Sequence, residues 1–211
     1  LAQFQLEHMG HLLFRPPSKV KDPRIQAFTP DDWQRELLDV VDAQGSVLVC
    51  APTSAGKTFI SYYCMEKCLR DDGHPDGVVV FVAPTKALVN QISAQVYGSF
   101  PHDFGVFTKD YRHKATSCRI LVTVPECLAQ LLSSKDNIDW QQRLRYVILD
   151  EVHCISVDPT GAAWEQILTL NPAPFVALSA SIGDPQSFVN WLDDVKQQQG
   201  KSDKEIGFVT D

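Results

Sequence analysis

Val47-Leu48-Val49-Cys50-Ala51-Pro52-Thr53-Ser54-Ala55-Gly56-Lys57-Thr58 is an apolar run that breaks into a small, polar loop ending in Gly-Lys-Thr. The order suits a buried strand delivering a phosphate-binding loop. The strand fixes the loop, backbone N–H groups turn inward, and the helix that follows offers its N-terminus to anionic oxygens. Thr53, Ser54, Ala55 and Gly56 would line the cradle, Lys57 would supply a point charge, and Thr58 a hydroxyl for Mg2+. The usual pattern, G-x-x-x-x-G-K-[ST], opens on glycine, whereas Ala51 stands there in this chain.

Upstream, Thr29-Pro30-Asp31-Asp32 offers a cap, an early proline and acidic first-turn residues, and Trp33, Leu37, Leu38 and Val41 follow at helical spacing. A helix of about three turns therefore precedes the strand and ends at Gly45. Downstream, Phe59, Ile60, Tyr63, Cys64 and Leu69 continue a helix that stops in the turn cluster Asp71 to Gly77. Val78 to Val82 is then continuously apolar and β-branched, the pattern of a parallel strand buried on both faces.

The alternation repeats. Helices are expected over Lys86 to Tyr97, Glu126 to Leu132, Ala162 to Leu170 and Gln186 to Val195. Strands are expected over Phe104 to Phe107, Ile120 to Val124, Tyr146 to Leu149 and Phe175 to Leu178. The fold class that follows is α/β, a doubly wound and mostly parallel sheet with helices on both faces. Residues 1–27 read as a packing element and linker and 28–195 as the nucleotide-binding domain. Residues 196–211 read as a polar tail in which Ile206 to Val209 could begin another strand.

The 211 residues, 44% hydrophobic and 21% charged, suffice for a full core. No apolar run approaches the roughly 20 residues of a membrane span, so a soluble, unsecreted and cytoplasmic protein is expected. Six cysteines without a C-x-x-C pair fit a reducing compartment, and Cys64 and Cys68, one turn apart, lack a nearby histidine to complete a metal site. A net charge of −7 argues against nucleic-acid binding by overall charge, so any such contact must be a local groove.

Ligands of open parallel sheets sit beyond the carboxyl ends of the strands, and four of those ends carry chemistry. Besides the phosphate loop, Asp150-Glu151-Val152-His153 follows an apolar run directly, and two adjacent carboxylates there suit a nucleotide-bound Mg2+. Asp150 would hold the ion through water, and Glu151 would orient and deprotonate an attacking water. Ser179-Ala180-Ser181 is either an ordinary helix cap or a pair of hydroxyls that report the state of the carboxylate turn. Ala83-Pro84-Thr85-Lys86 is either a capped helix start or a grip on a phosphodiester. Phe28 and Gln34, flanking the first helix, are either core and surface residues or a stacking face and an amide for a nucleobase.

Phe28…Gln34, Ala51 to Thr58, Pro84-Thr85-Lys86-Ala87-Leu88, Asp150-Glu151-Val152-His153 and Ser179-Ala180-Ser181 together resemble, in order and spacing, the first RecA-like domain of a superfamily 2 DExD/H-box RNA helicase. That superfamily commonly opens its phosphate loop on alanine. The pattern is most similar to the superkiller-like branch, and Trp33 to Val41 with Asp110-Tyr111-Arg112-His113 is similar to the interferon-induced antiviral group. The resemblance implies that Gln34 and Phe28 select adenine, that Lys57 and Thr58 serve ATP and Mg2+, and that Asp150 and Glu151 serve the ion and the water. His153, Ser179 and Ser181 would couple hydrolysis to movement, and Pro84, Thr85, Lys86, Thr108 and the Thr123-Val124-Pro125-Glu126 turn would contact RNA, with DNA not excluded. Val124 replaces a threonine hydroxyl common in relatives, and Ser181 replaces a common threonine. The stretch after Ser181 is too short for the second RecA-like domain that carries arginine fingers in such enzymes.

A GTPase or transporter ATPase would need an Asn-Lys-x-Asp or Leu-Ser-Gly-Gly-Gln signature, and a dinucleotide oxidoreductase would need G-x-G-x-x-G. None of these occurs in the chain. An RNA-binding signalling scaffold that uses ATP as a latch without unwinding fits the same residues.

Overall fold

Five consecutive buried residues, Val78–Val82, form a strand that sends Val79 and Phe81 into one apolar cluster and Val78, Val80 and Val82 into another. Period-two alternation with both faces apolar forces helices onto both sides, and the computed structural model has them there. It describes residues 21–52, 56–156, 161–180, 185–198 and 206–210.

The strands are β1 (Val47–Cys50), β2 (Val78–Val82), β3 (Phe104–Phe107), β4 (Arg112–His113), β5 (Ile120–Thr123), β6 (Leu144–Leu149), β7 (Phe175–Ser179) and β8 (Gly207–Thr210). They form one sheet in the order β4-β3-β5-β2-β6-β7-β1-β8, parallel throughout except for the antiparallel β3–β4 edge. Helices α1 (Asp32–Asp42), α2 (Thr58–Leu69) and α3 (Lys86–Ser99) cover the first face through Leu37, Ile60 and Val89. Helices α4 (Pro125–Ser133), α5 (Ile138–Gln142), α6 (Gly161–Leu170) and α7 (Pro185–Gln198) cover the second through Leu128, Trp140, Trp164 and Leu192.

Several expectations shift by local chemistry. The cap of α1 is Asp31, whose backbone N–H donates to Gln34 Oε1 at 3.0 Å, so Thr29 and Pro30 stand outside the helix. Helix α7 runs on to Gln198, and the strand expected near Ile206 pairs in parallel with β1. The two exposed residues of β4 and the five-residue α5, anchored by Trp140 alone, carry too little periodicity to be seen in sequence. Cys64 and Cys68 are core residues whose burial raises both thiols, and the Cys118 thiol is likewise pushed up to about 12. Among the described residues no three His, Cys, Asp or Glu side chains gather as a metal cluster, and no helix is long and apolar enough to cross a membrane.

The segment before α1 is tied to it by Arg24, which donates to Asp22 at 2.6 Å, Asp39 at 2.7 Å and Asp42 at 2.8 Å. The guanidinium hydrogen bond lowers the buried Asp22 carboxyl from 3.8 to about 2. A depressed folded-state value stabilises the fold above the unfolded value and loses that contribution as pH falls through the folded one. Asp22→Asn is therefore expected to lower the urea midpoint at pH 7, with the gap to wild type narrowing between pH 3.8 and about 2. A pH-independent gap would mean that packing, not charge, accounts for the loss.

Candidate nucleotide site

Strand β1 leads directly into Ala51, 1% exposed and part of the first apolar cluster, with its N–H donating to Ser179 O at 3.1 Å. A Cβ at this position is packed against the core, which is why alanine serves where the usual loop has glycine. Gly56 is different: at φ +78° it adopts a left-handed conformation that a side chain would strain, although the nearest group to an added Cβ, Gln34 Nε2, would lie 3.7 Å away. Thr53, Ser54 and Ala55 lie outside the described residues, as does Ser181.

Lys57 is only 5% exposed and its Nζ has no hydrogen-bond partner among the described residues. It sits at the N-terminus of α2, which has no side-chain cap, while Thr58 opens the helix and is exposed. A buried ammonium without an acceptor beside uncapped helix N–H groups is a costly arrangement that an anionic oxygen would relieve. The residues present therefore fit a nucleotide phosphate.

Two strands away, β6 delivers Asp150 and Glu151. Burial, then the neighbouring Glu151 carboxylate, push the Asp150 carboxyl up to about 6, while Lys57 pulls it down. The Glu151 N–H donates to Asp150 Oδ1 at 3.1 Å, and Glu151 itself is held at φ +51°, a conformation rare for a residue with a side chain. Its Oε2 is buried and lies 3.3 Å from His153 Nδ1, an ion-pair distance without hydrogen-bond alignment. Two crowded carboxylates suit Mg2+, which binds through one or two carboxylates together with substrate phosphates.

His153 Nδ1 also lies 3.3 Å from Ser179 Oγ, so one ring nitrogen stands between the general-base candidate and the end of β7. Because β7 lies between β6 and β1, Ser179 meets the carboxylate turn through its side chain and the phosphate loop through its carbonyl. The two carboxylates, His153, Ser179 and Lys57 are thus brought to one edge.

The proposed adenine residues are placed less simply. Gln34 is buried and its carbonyl serves the α1 cap, which leaves its amide nitrogen on the side of Gly56. Phe28 is 42% exposed and packs edge-on against Phe59, with centroids 5.6 Å apart. Both rings border a cavity of about 1000 Å3 whose wall continues through Tyr62, Tyr63 and Lys67. Lys57, Asp150 and Glu151 do not line it, so the chemistry belongs to the open strand-end edge beside it.

On the far half of the same edge, Pro84 is half-buried and Thr85 and Lys86 are exposed, Thr85 Oγ1 capping α3 by accepting from Leu88 N–H at 3.3 Å. Thr108 is buried, and Thr123 is fully so, donating to Phe107 O at 2.7 Å. The Thr123 hydroxyl thus fixes the end of β3 and does not reach the surface. Thr123→Val, nearly isosteric, is expected to cost about 1 kcal/mol in a urea titration by removing the bond to a half-buried carbonyl. An unchanged midpoint would show the bond to be dispensable. The sequence placed Asp110 and Glu126 in motifs of this half but not their ion pairs: Asp110 pairs with Lys86, and Glu126 with Lys109 at 3.4 Å. Alternating charges in the Lys109-Asp110 turn were the available signal.

A parallel sheet with a phosphate loop at one strand end and an Asp-Glu pair two strands away defines a P-loop nucleotide-binding domain of the RecA-like kind. Residues 31–188 match the DEAD/DEAH box helicase family, and the chain belongs to it. It is 47% identical over 210 residues to the human protein named "Probable ATP-dependent RNA helicase DDX60-like", covering 96% of this chain and 12% of that protein. It is 32% identical over 184 residues to mouse "Superkiller complex protein 2", covering 85% and 14%. The crystal structure of the DUF1998 helicase MrfA bound to DNA and AMPPNP shares the fold with a TM-score of 0.69 at 19% identity, over 93% of this chain and 30% of that one. The chain thus spans about an eighth of the curated relatives' length.

Proposed function

We propose that this chain is the ATP-binding half of an ATP-dependent RNA helicase, acting with a second RecA-like domain of the same protein on single- or double-stranded RNA. The observation that carries the reading is the buried, unpartnered Lys57 ammonium on the same edge as the strained Asp150-Glu151 turn. Lys57 and the N–H groups of α2 would hold the phosphates, Thr58 and Asp150 would hold Mg2+, and Glu151 would take the proton of the attacking water. The ion would neutralise charge developing on the transferred phosphoryl group. His153 stands between Glu151 and Ser179 and would pass the state of the turn to β7 and the loop. A cytoplasmic setting and a role in antiviral defence belong to the same proposal and rest on the likeness of Trp33 to Val41 and Asp110 to His113 to the interferon-induced antiviral group.

An arginine finger is typically worth 10³–10⁵ in rate, so the isolated chain should bind ATP weakly and hydrolyse it hardly at all. The deciding experiment is strand displacement by the full-length protein with and without Glu151→Gln. ATP-dependent displacement lost in the variant supports a motor. Nucleotide-dependent RNA binding without displacement would replace it with the latch.

A further inference from the structure

The turn from Thr108 to Arg112, joining β3 to the short antiparallel β4, stands at the same carboxyl edge as the Thr85-Lys86 helix start and the Pro125-Glu126 helix start. It is held from within: Thr108 N–H donates to Tyr111 O at 2.8 Å, and Tyr111 N–H donates to Thr108 Oγ1 at 3.2 Å. It is also held from both flanks, by Asp110 on Lys86 and by Lys109 on Glu126 at 3.4 Å. Arg112 lies over the Phe107 ring, 5.1 Å from its centroid.

The Tyr111 ring is the exception. It is 60% exposed, and its backbone, not its ring, makes the turn's hydrogen bonds. Tyr97 is nearly as exposed but rests edge-on against Phe104 with centroids 5.9 Å apart. A lone exposed aromatic is ordinary. What distinguishes this one is a rigid mount between two lysines at the edge where ligands of such sheets bind.

We propose that Tyr111 is a stacking platform for one nucleobase of a single-stranded RNA lying across this edge. Lys86 and Lys109 exchange Asp110 and Glu126 for the flanking phosphates as the strand arrives. The proposal rests on the helicase reading. It also accounts for binding by an acidic chain: carboxylates occupy the lysines until a polyanion displaces them, and stacking adds a contribution independent of net charge.

The test measures anisotropy of the full-length protein with labelled oligouridine and with an abasic strand of the same length. Base stacking is worth about 1–3 kcal/mol, so Tyr111→Ala should weaken oligouridine binding about 5- to 160-fold. The abasic strand should bind as before, Tyr111→Phe should restore oligouridine affinity, and the melting temperature should stay close to the wild-type value because Tyr111 is 60% exposed. An equal loss on both strands, or no loss on oligouridine, overturns the platform while leaving the helicase reading intact. Failure of the wild-type protein to bind either strand overturns the platform and removes single-stranded RNA from the helicase reading.

Discussion

Glu151→Gln is expected to lower ATP turnover by the full-length protein about 10²–10⁴-fold while leaving nucleotide affinity within about threefold. The amide keeps the size and the hydrogen-bonding reach of the carboxylate but cannot accept a proton. Glu151 Oε2 is buried without a hydrogen bond and the Glu151 side chain does not bond Asp150, so besides the proton-accepting oxygen the amide gives up the 3.3 Å charge pairing with His153. The strained φ of +51° is unchanged by the substitution, so the turn should keep its shape. Single-turnover hydrolysis and calorimetric binding together check the result. A variant that loses affinity as much as rate would make Glu151 a ligand-positioning group and not the base.

Lys57→Met is expected to act in opposite directions on two measurements. In the nucleotide-free protein it should raise the melting temperature, because an ammonium 5% exposed and without a hydrogen-bond acceptor is replaced by an apolar chain of similar length. With Mg-ATP it should abolish the upward shift that ligand binding gives the wild type, because hydrogen bonds to charged groups contribute about 1.5–3 kcal/mol each and Lys57 would make more than one. A calorimetric affinity loss of about a hundredfold or more should accompany it. A variant that binds nucleotide as tightly as wild type would remove Lys57 from the site. The paired signs separate a binding residue from a merely structural one, which would lower stability in both conditions.

The sequence was most legible where one residue type has one physical use. The run Val78 to Val82, β-branched, short and set between helices, read as a doubly buried strand, and the structure has one there. The Asp150-Glu151 pair was readable because adjacent carboxylates at a strand end need a reason. Legibility failed where a side chain has two uses and geometry chooses between them. The Gln34 carbonyl closes a helix cap, which no spacing argument separates from base recognition. The Thr123 hydroxyl points inward to Phe107 O, because register in β5 alternates sides and sequence does not say which side faces out. The ion pairs of Asp110 and Glu126 join residues 24 and 17 positions apart, a proximity that only the sheet order creates.

The hydrogen bonds at the carboxyl edge have a mechanical consequence. They run strand to strand from Thr123 Oγ1 to Phe107 O, Ala83 N to Thr123 O, Asp150 N to Val82 O, His153 to Ser179, and Ala51 N to Ser179 O. Five interstrand steps of about 4.8 Å make a beam of roughly 24 Å from the β3 turn to the phosphate loop. Three of the joints are backbone to backbone and the β3–β5 joint sets a fully buried hydroxyl on the Phe107 carbonyl, so these four move only if the sheet moves. The joint between β6 and β7 is made by two side chains, so it can open and close by rotation of an imidazole while the sheet stays whole, and it is the one pin in the beam that lies against Glu151.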